Sequence, residues 1–174
     1  MTGMRRVVVL GSVGAGKTAL ALEISRRTEL PVVHLDRLFW RAGWAPAPQD
    51  QARRRLAEAS EGDRWILDGN FLSDEGEAED RRFARADTVI FLDLPRRTCL
   101  WRVLRRRVRD RGRDRPDLPE GCSEGLGPSV LRWIWTYPAV ERPRVLRILD
   151  RLDPRVAVHH LRSRADVRRF LETD

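Results

Sequence analysis

Lysine is almost absent from this chain of 174 residues: of its 34 lysines and arginines, Lys17 is the sole lysine. Such a bias reads first as a genome-wide preference for arginine codons. It also makes Lys17 informative, because a compact ammonium is kept at one place where a planar guanidinium fork is no substitute. Cysteine is scarce as well. Cys99 and Cys122 form neither a metal-binding spacing nor a disulfide framework. That excludes a zinc module and a disulfide-stapled secreted scaffold, and predicts reduced thiols in a cytoplasmic protein. No apolar run approaches the roughly 20 residues that cross a bilayer, so no membrane partner is expected. The first predicted strand begins within a few residues of Met1, so no cleavable leader is expected.

What is present in excess is positive charge, +8 net. A basic surface suits nucleic acid or polyphosphate substrates, besides the codon bias already noted. The length fits one domain, 1–174, large enough to bury a core, and read as a monomer or weak dimer. Arg5–Leu10 (RRVVVL) reads as a buried strand ended by Gly11, and Thr18–Thr28 as the helix after it. Further strands are expected at Pro31–Leu35, Arg64–Leu67, Thr88–Leu94 and Arg155–His160. Helices are expected at Gln49–Ala59, Arg97–Arg111, Ser129–Leu149 with interruptions near Pro138 and Pro143, and Ala165–Leu171. Ser163 and Asp166 form a candidate capping box for the last. Asp36–Pro48 reads as a connection, Ser73–Asp80 as an acidic loop or helix start, and Gly112–Pro128 as a mobile loop. Strands alternating with helices predict an α/β fold with a five-stranded parallel sheet covered on both faces.

Between the first strand and the first helix lies Gly11-Ser12-Val13-Gly14-Ala15-Gly16-Lys17-Thr18, a full match to G-x-x-x-x-G-K-[ST]. Each position has a physical task. Glycines let the backbone wrap closely around phosphate oxygens, and successive N–H groups at a helix N-terminus supply fixed positive potential. Lys17 reaches the β and γ phosphates, and Thr18 offers a hydroxyl to Mg²⁺. The expected ligand is therefore Mg·ATP. The N-K-x-D motif with which the usual GTPases read guanine needs a second lysine and is excluded. No strand ends in Asp-Glu, since Asp68 precedes Gly69 and Asp93 precedes Leu94. Without that water-activating glutamate, transfer to an acceptor is favoured over hydrolysis. The length also agrees with this, being short for a ring ATPase with its additional domain.

On a helical wheel Leu100, Val103, Leu104 and Val108 form one stripe, with Arg102, Arg106 and Arg109 on the other side. Arg107 lies at the apolar edge and needs an anionic partner. The helix leads into a segment carrying Arg111, Arg113 and Arg115. Arginines feeding a flexible flap suit a lid over transferring phosphates, at about residues 105–128. A merely solvated basic face is the alternative.

Leu67-Asp68-Gly69-Asn70 followed by Phe71 resembles the L-D-G-F-P-R strand end of adenylate kinases. Asp93-Leu94-Pro95 with Arg102 and Arg106 resembles the start of their lid helix. His34-Leu35-Asp36, Phe39-Trp40 with Gly43-Trp44, Trp65 to Asn70, Ala86-Asp87-Thr88, Arg115-Pro116-Asp117 with Glu120-Gly121-Cys122, and Trp133-Ile134-Trp135 with Tyr137-Pro138 together resemble the adenylate-kinase-related family of DNA topology modulation proteins, across nearly the whole chain. The resemblance implies the P-loop kinase sheet, strand order 2-3-1-4-5, ATP as the nucleotide, and an effect on DNA. No helix-turn-helix, zinc finger or other nucleic-acid reader accompanies it. The chain departs from the family after Asn70. Ser73, Asp74, Glu75, Glu77 and Glu79 stand where a basic residue is usual, and Arg82 is the candidate for that role.

The expected function is a kinase moving the γ-phosphate of Mg·ATP to a nucleotide or other small molecule. The alternative is a nucleic-acid-associated regulator using ATP as a switch. Lys17, Arg102, Arg106 and Asp36 are the catalytic candidates. Asp36, past the second strand, is placed to bind an acceptor hydroxyl or act as its base; a capping or turn aspartate is the alternative. Asp68 is the second candidate for Mg²⁺. The acceptor candidates are His34, Asp36, Trp40, Asn70, Arg82 and Arg115, although His34, alternating with buried positions, reads more readily as a satisfied core histidine. Trp40 and Trp44 either stack on a ring or close the core. His159, His160, Trp133 and Trp135 read as structural. Arg107 joins the nucleotide site, as do Arg162 and Arg164, which by the resemblance follow the fifth strand against adenine.

Overall fold

The computed structural model describes residues 3–72, 77–109, 122 and 127–172. Five strands form one parallel sheet: β1 (Arg6–Gly11), β2 (Val32–His34), β5 (Trp65–Asp68), β6 (Thr88–Leu92) and β7 (Ala157–Leu161). Their order is β2-β5-β1-β6-β7, which is the expected order 2-3-1-4-5 counted along the sheet's own strands. β1 is central, and Val7, Val8, Val9 and Leu10 are completely buried. A strand covered on both faces has no polar alternation to show, so its sequence is a run of β-branched and aliphatic residues.

The pleat divides the core. Val7, Val9, Ile66 and Ile90 pack with Leu20, Ala21 and Ile24 of α1 (Lys17–Thr28), Cys99 and Val103 of α5 (Arg96–Arg109), and Phe170 of α7 (Arg164–Glu172). Val8, Leu10, Leu67 and Phe91 pack on the other face. Their partners are Leu56 of α3 (Gln49–Glu61), Phe83 of α4 (Glu77–Arg85), and Tyr137 and Val145 of α6 (Pro128–Leu149). The result is the three-layer α/β arrangement.

Three local expectations need correction. α6 runs unbroken through Pro138 and Pro143. Each proline removes one backbone hydrogen bond, but buried Ile134, Tyr137 and Val145 hold the helix to the sheet. The connection after β2 has structure of its own: α2 (Asp36–Phe39), then a small antiparallel hairpin of β3 (Trp40–Arg41) and β4 (Ala45–Pro46). Its turn carries both Gly43 and Trp44 at positive φ. Finally, the apolar stripe of α5 does not hold to the end of the helix. Cys99 and Val103 are buried, while Leu104 is 48% and Val108 80% exposed, so only the first turns pack on the sheet. Ser163 and Asp166 do form the reciprocal cap of α7, at 3.1 and 2.8 Å.

Candidate functional site: the phosphate loop and its surroundings

All parallel strands end on one side, and there Gly11–Thr18 crosses from β1 into α1. Gly11, Gly14 and Gly16 have φ of +150°, +79° and +100°. A Cβ on Gly11 would sit 2.7 Å from the carbonyl oxygen of Leu92, and one on Gly14 would collide with the Cys99 carbonyl oxygen. The loop therefore lies against β6 and α5 with no room for side chains at those points. Lys17 Nζ donates to the Ser12 carbonyl oxygen at 3.2 Å, so the ammonium is folded back over the loop that would surround the phosphates.

Asp68, at the end of β5, is buried and meets this loop. The Thr18 hydroxyl donates to its Oδ2 at 2.8 Å, and His34 Nδ1 lies 3.0 Å from the same oxygen. His34 ends β2 opposite Asp68 in register. Asp68 Oδ1 is buried with no hydrogen-bond partner among the described residues, which is costly unless something with positive charge or an O–H faces it. The Thr18 hydroxyl spends its proton on Oδ2 and keeps its lone pairs. Two hard oxygen donors, one directly at the loop and one behind it, fit a Mg²⁺ held mainly by phosphates and water.

Asn70, an acceptor candidate, is turned to the loop: its Oδ1 accepts from the Gly11 N–H at 2.9 Å, and its Nδ2 lies 3.5 Å from the Tyr137 hydroxyl. Arg82 is wholly buried, and two of its nitrogens donate to the Asn70 carbonyl oxygen at 3.1 Å. Through these contacts Asn70 and Arg82 brace the strand end, and His34 is paired with Asp68. Asp36 stands half-buried in the first turn of α2. Trp40 and Trp44 meet edge to face at 5.8 Å across the hairpin, while Phe39 stacks on Phe71 at 4.2 Å. Cys122 is buried against this hairpin, its Sγ accepting from the Trp44 N–H at 3.3 Å and donating to the Arg41 carbonyl oxygen at 3.2 Å. Arg111, Arg113 and Arg115 lie outside the described residues.

On the opposite side of the loop, Arg102 Nη1 donates to the Ala15 carbonyl oxygen at 2.6 Å. Burial pulls the pKa of Arg102 down from the ordinary guanidinium value, and the charge of Arg164 adds to this. Arg164 and Arg105 each lie near the ring of half-exposed Trp101, at 5.7 and 5.2 Å. Arg106 and Arg107 follow in the last turns of α5, the first half-buried and the second exposed.

The sequence reading overlooked a network at the ends of β6 and β7. Asp93 accepts from Arg142 Nε through both oxygens, at 2.9 and 3.0 Å, and lies 2.8 Å from His160 Nε2. Arg162 Nη2 lies 3.3 Å from the other ring nitrogen of His160. Burial alone would raise the pKa of Asp93, but Arg142 and His160 outweigh it and hold the carboxyl below its usual value. Arg162 and Arg164 therefore part company: one faces α6 and the other α5. A cleft of about 340 Å³ opens at this network, lined in part by Ser12, Asp93, Tyr137, Arg142 and Arg162. A spacing of 49 residues between Asp93 and Arg142 carries no motif, and the only hint in the sequence is an aspartate at a strand end.

The chain matches no protein-family model and no curated protein. Its fold is similar to that of several solved kinases. Shikimate kinase from Acinetobacter baumannii, solved with shikimate, superposes with a TM-score of 0.63 at 12% identity, over 98% of this chain and 90% of that one. Deoxyadenosine kinase from M. mycoides, solved with bound dATP, gives 0.58 at 17% identity over 96% and 95%. A sugar kinase from Janibacter sp. gives 0.53 at 19% over 98% and 91%. At these identities the likeness is one of fold. Among the described residues no helix is long and apolar enough to cross a membrane.

Proposed function

We propose that this protein is a phosphotransferase that moves the γ-phosphate of Mg·ATP to a small molecule. The observation that carries the reading is the convergence on one loop of Lys17, the Thr18–Asp68 pair and Arg102. The kinase neighbours and the bound dATP of one of them support it. In the transfer, the bond from the γ-phosphorus to the β–γ bridging oxygen breaks, its electron pair leaving with ADP, and a bond forms to an acceptor oxygen. Lys17 and the loop N–H groups hold the phosphates in line. Arg102 and Arg106 answer the charge that builds on them. Mg²⁺, when bound beside Thr18 and Asp68, neutralises phosphate charge. A hydroxyl acceptor gives its proton to a carboxylate, and Asp36, beyond the end of β2, is the one we assign. Trp40 borders that side.

The test is ATP consumption by the full chain across nucleoside monophosphates, nucleosides and small hydroxylated metabolites. One of them should raise turnover at least tenfold over the acceptor-free rate. In that reaction Asp36→Asn should cut kcat strongly for a hydroxyl acceptor and leave ATP affinity in place. No stimulation by any class would contradict the reading.

A second reading, association with nucleic acid, is favoured by the basic surface and by two exposed tryptophans under arginines: Trp101, and Trp135, whose ring lies 3.9 Å from Arg96. Aromatic platforms beside arginines bind single strands. Binding of single-stranded DNA with a steep salt dependence, changed by ATP, would favour it over the first.

A further inference from the structure

The cleft beside Ser12 opens next to the glycine loop, at the ends of β6 and β7, and its chemistry is specific. We infer that it holds an anionic group, carboxylate or phosphate, of the acceptor, with Arg142 and Arg162 as the recognising residues. The inference rests on the phosphotransferase reading and narrows its substrate class.

Four observations lead there. The cleft lies at the carboxyl ends of parallel strands, where ligands of open α/β sheets sit, and about 340 Å³ is room for a small molecule. Its lining is cationic: Arg96, Arg142 and Arg162 face one carboxylate, Asp93. Arg162 has no carboxylate partner for its guanidinium among the described residues, and its side chain reaches only His160. An arginine with no carboxylate partner gains most from an added anion. Third, Arg142 is pre-oriented. Asp93 holds its Nε and Nη2, the latter at 2.9 Å, and leaves the remaining guanidinium donors to the cleft. Asp93 is thus a positioning residue, as is His160, which stacks on Phe91 at 5.0 Å and cannot swing away. Fourth, Ser12 ties the cleft to the reaction. Ser12 lines it, and the Ser12 carbonyl oxygen accepts from Lys17 Nζ. A ligand in the cleft lies one residue from the ammonium that grips the β and γ phosphates. The side holding Arg102, Arg164 and Trp101 is separate, across α5, and leaves room for the nucleotide base.

The test is calorimetry of the full chain with malonate and with inorganic phosphate as probes, on the parent protein, Lys17→Ala, Arg142→Ala and Arg142→Lys. At least one probe should bind the parent and Lys17→Ala with the same affinity. It should bind Arg142→Ala at least tenfold more weakly, with partial recovery in Arg142→Lys. The bound probe should remain when a non-hydrolysable ATP analogue is added with Mg²⁺. Thermal melting checks each variant, and if Arg142→Ala melts early the comparison is made on Arg142→Lys, whose single ammonium cannot replace the fork and should still bind several-fold more weakly. Absence of binding by both probes, loss of binding in Lys17→Ala, unchanged binding in the Arg142 variants, or displacement by the ATP analogue would each overturn the inference. Failure of the parent protein to bind Mg·ATP, with anion binding intact, would instead strike the phosphotransferase reading and with it the role of the cleft as an acceptor site.

Discussion

At the residue scale the solitary lysine and the glycines make sharp demands. A methyl group at position 14 meets the Cys99 carbonyl oxygen and comes within 2.8 Å of Val103 Cγ2, at a φ that side chains rarely adopt. Gly14→Ala should therefore lose about 1–3 kcal/mol. That corresponds to a fall in melting temperature of roughly 2–12 °C in a protein of this size, read by scanning calorimetry. Asp68 is the reverse case, a buried carboxylate whose Oδ2 serves Thr18 and His34 while Oδ1 stands without a partner. Asp68→Asn should weaken the Mg²⁺ dependence of ATP binding by about tenfold or more, while binding of metal-free ATP changes little. Comparable calorimetric titrations with and without Mg²⁺ decide it, and an unchanged Mg²⁺ effect would remove Asp68 from the metal's surroundings.

The shape of the glycine loop was legible in the sequence because it is set by local backbone geometry at Gly11, Gly14 and Gly16, which a contiguous motif records. Asn70 and Arg82 were legible as special positions, but the contacts they make were not. Their partners, the Gly11 N–H and the Asn70 carbonyl oxygen, belong to the backbone, and backbone partners leave no signature in side-chain identity.

At the element scale α5 is the informative helix. Its first turns pack through Cys99 and Val103, and its later turns expose Leu104, Arg105, Arg107 and Val108 while Arg106 stays half-buried. An arginine-bearing helix that leaves the sheet beside the phosphate loop suits closure over the phosphates. Arg106→Ala should lower kcat by on the order of 10²-fold with a smaller effect on ATP affinity, if its contact forms in the transition state. Unchanged turnover with an active acceptor would end that assignment. The amphipathic wheel predicted a full-length apolar stripe because it knows spacing but not where a helix leaves the sheet. The strands of the sheet were legible as short β-branched runs. The two-residue strands of the hairpin were not, since so short a pairing is set by the Gly43 turn and by the packing of Trp40 on Trp44.

The ends of β6 and β7 and the middle of α6 are joined by Asp93, with Arg142 and His160 as its partners. Since the carboxyl of Asp93 titrates below its unfolded value, its contribution to stability is present above the unfolded pKa of about 3.9 and is lost as pH falls through the folded value. The parent protein should melt higher than Asp93→Asn at pH 7, and the difference should shrink on acidification below about pH 4. A difference independent of pH would show that packing, not charge, accounts for it. Tertiary couplings of this kind join elements far apart in the chain, and only the folded geometry displays them.

At the scale of the whole molecule, the parallel sheet gathers every strand end onto one side and divides that side by the phosphate loop. Arg102 and Arg164 stand towards α5, Asp36 and the Trp40–Trp44 hairpin beyond β2, and the arginine-lined cleft beside α6. The fold alone is shared with kinases of different substrates, so function lies in what this chain builds on those ends. The proposed phosphoryl transfer depends on the loop holding Mg·ATP through Lys17. Calorimetric titration of Mg·ATP into the parent protein, Lys17→Ala and Lys17→Arg tests this most directly. Binding by the parent and loss in both variants, with melting temperatures unchanged in the absence of ligand, is the predicted result; ordinary affinity in either variant, or no binding by the parent, would contradict the account.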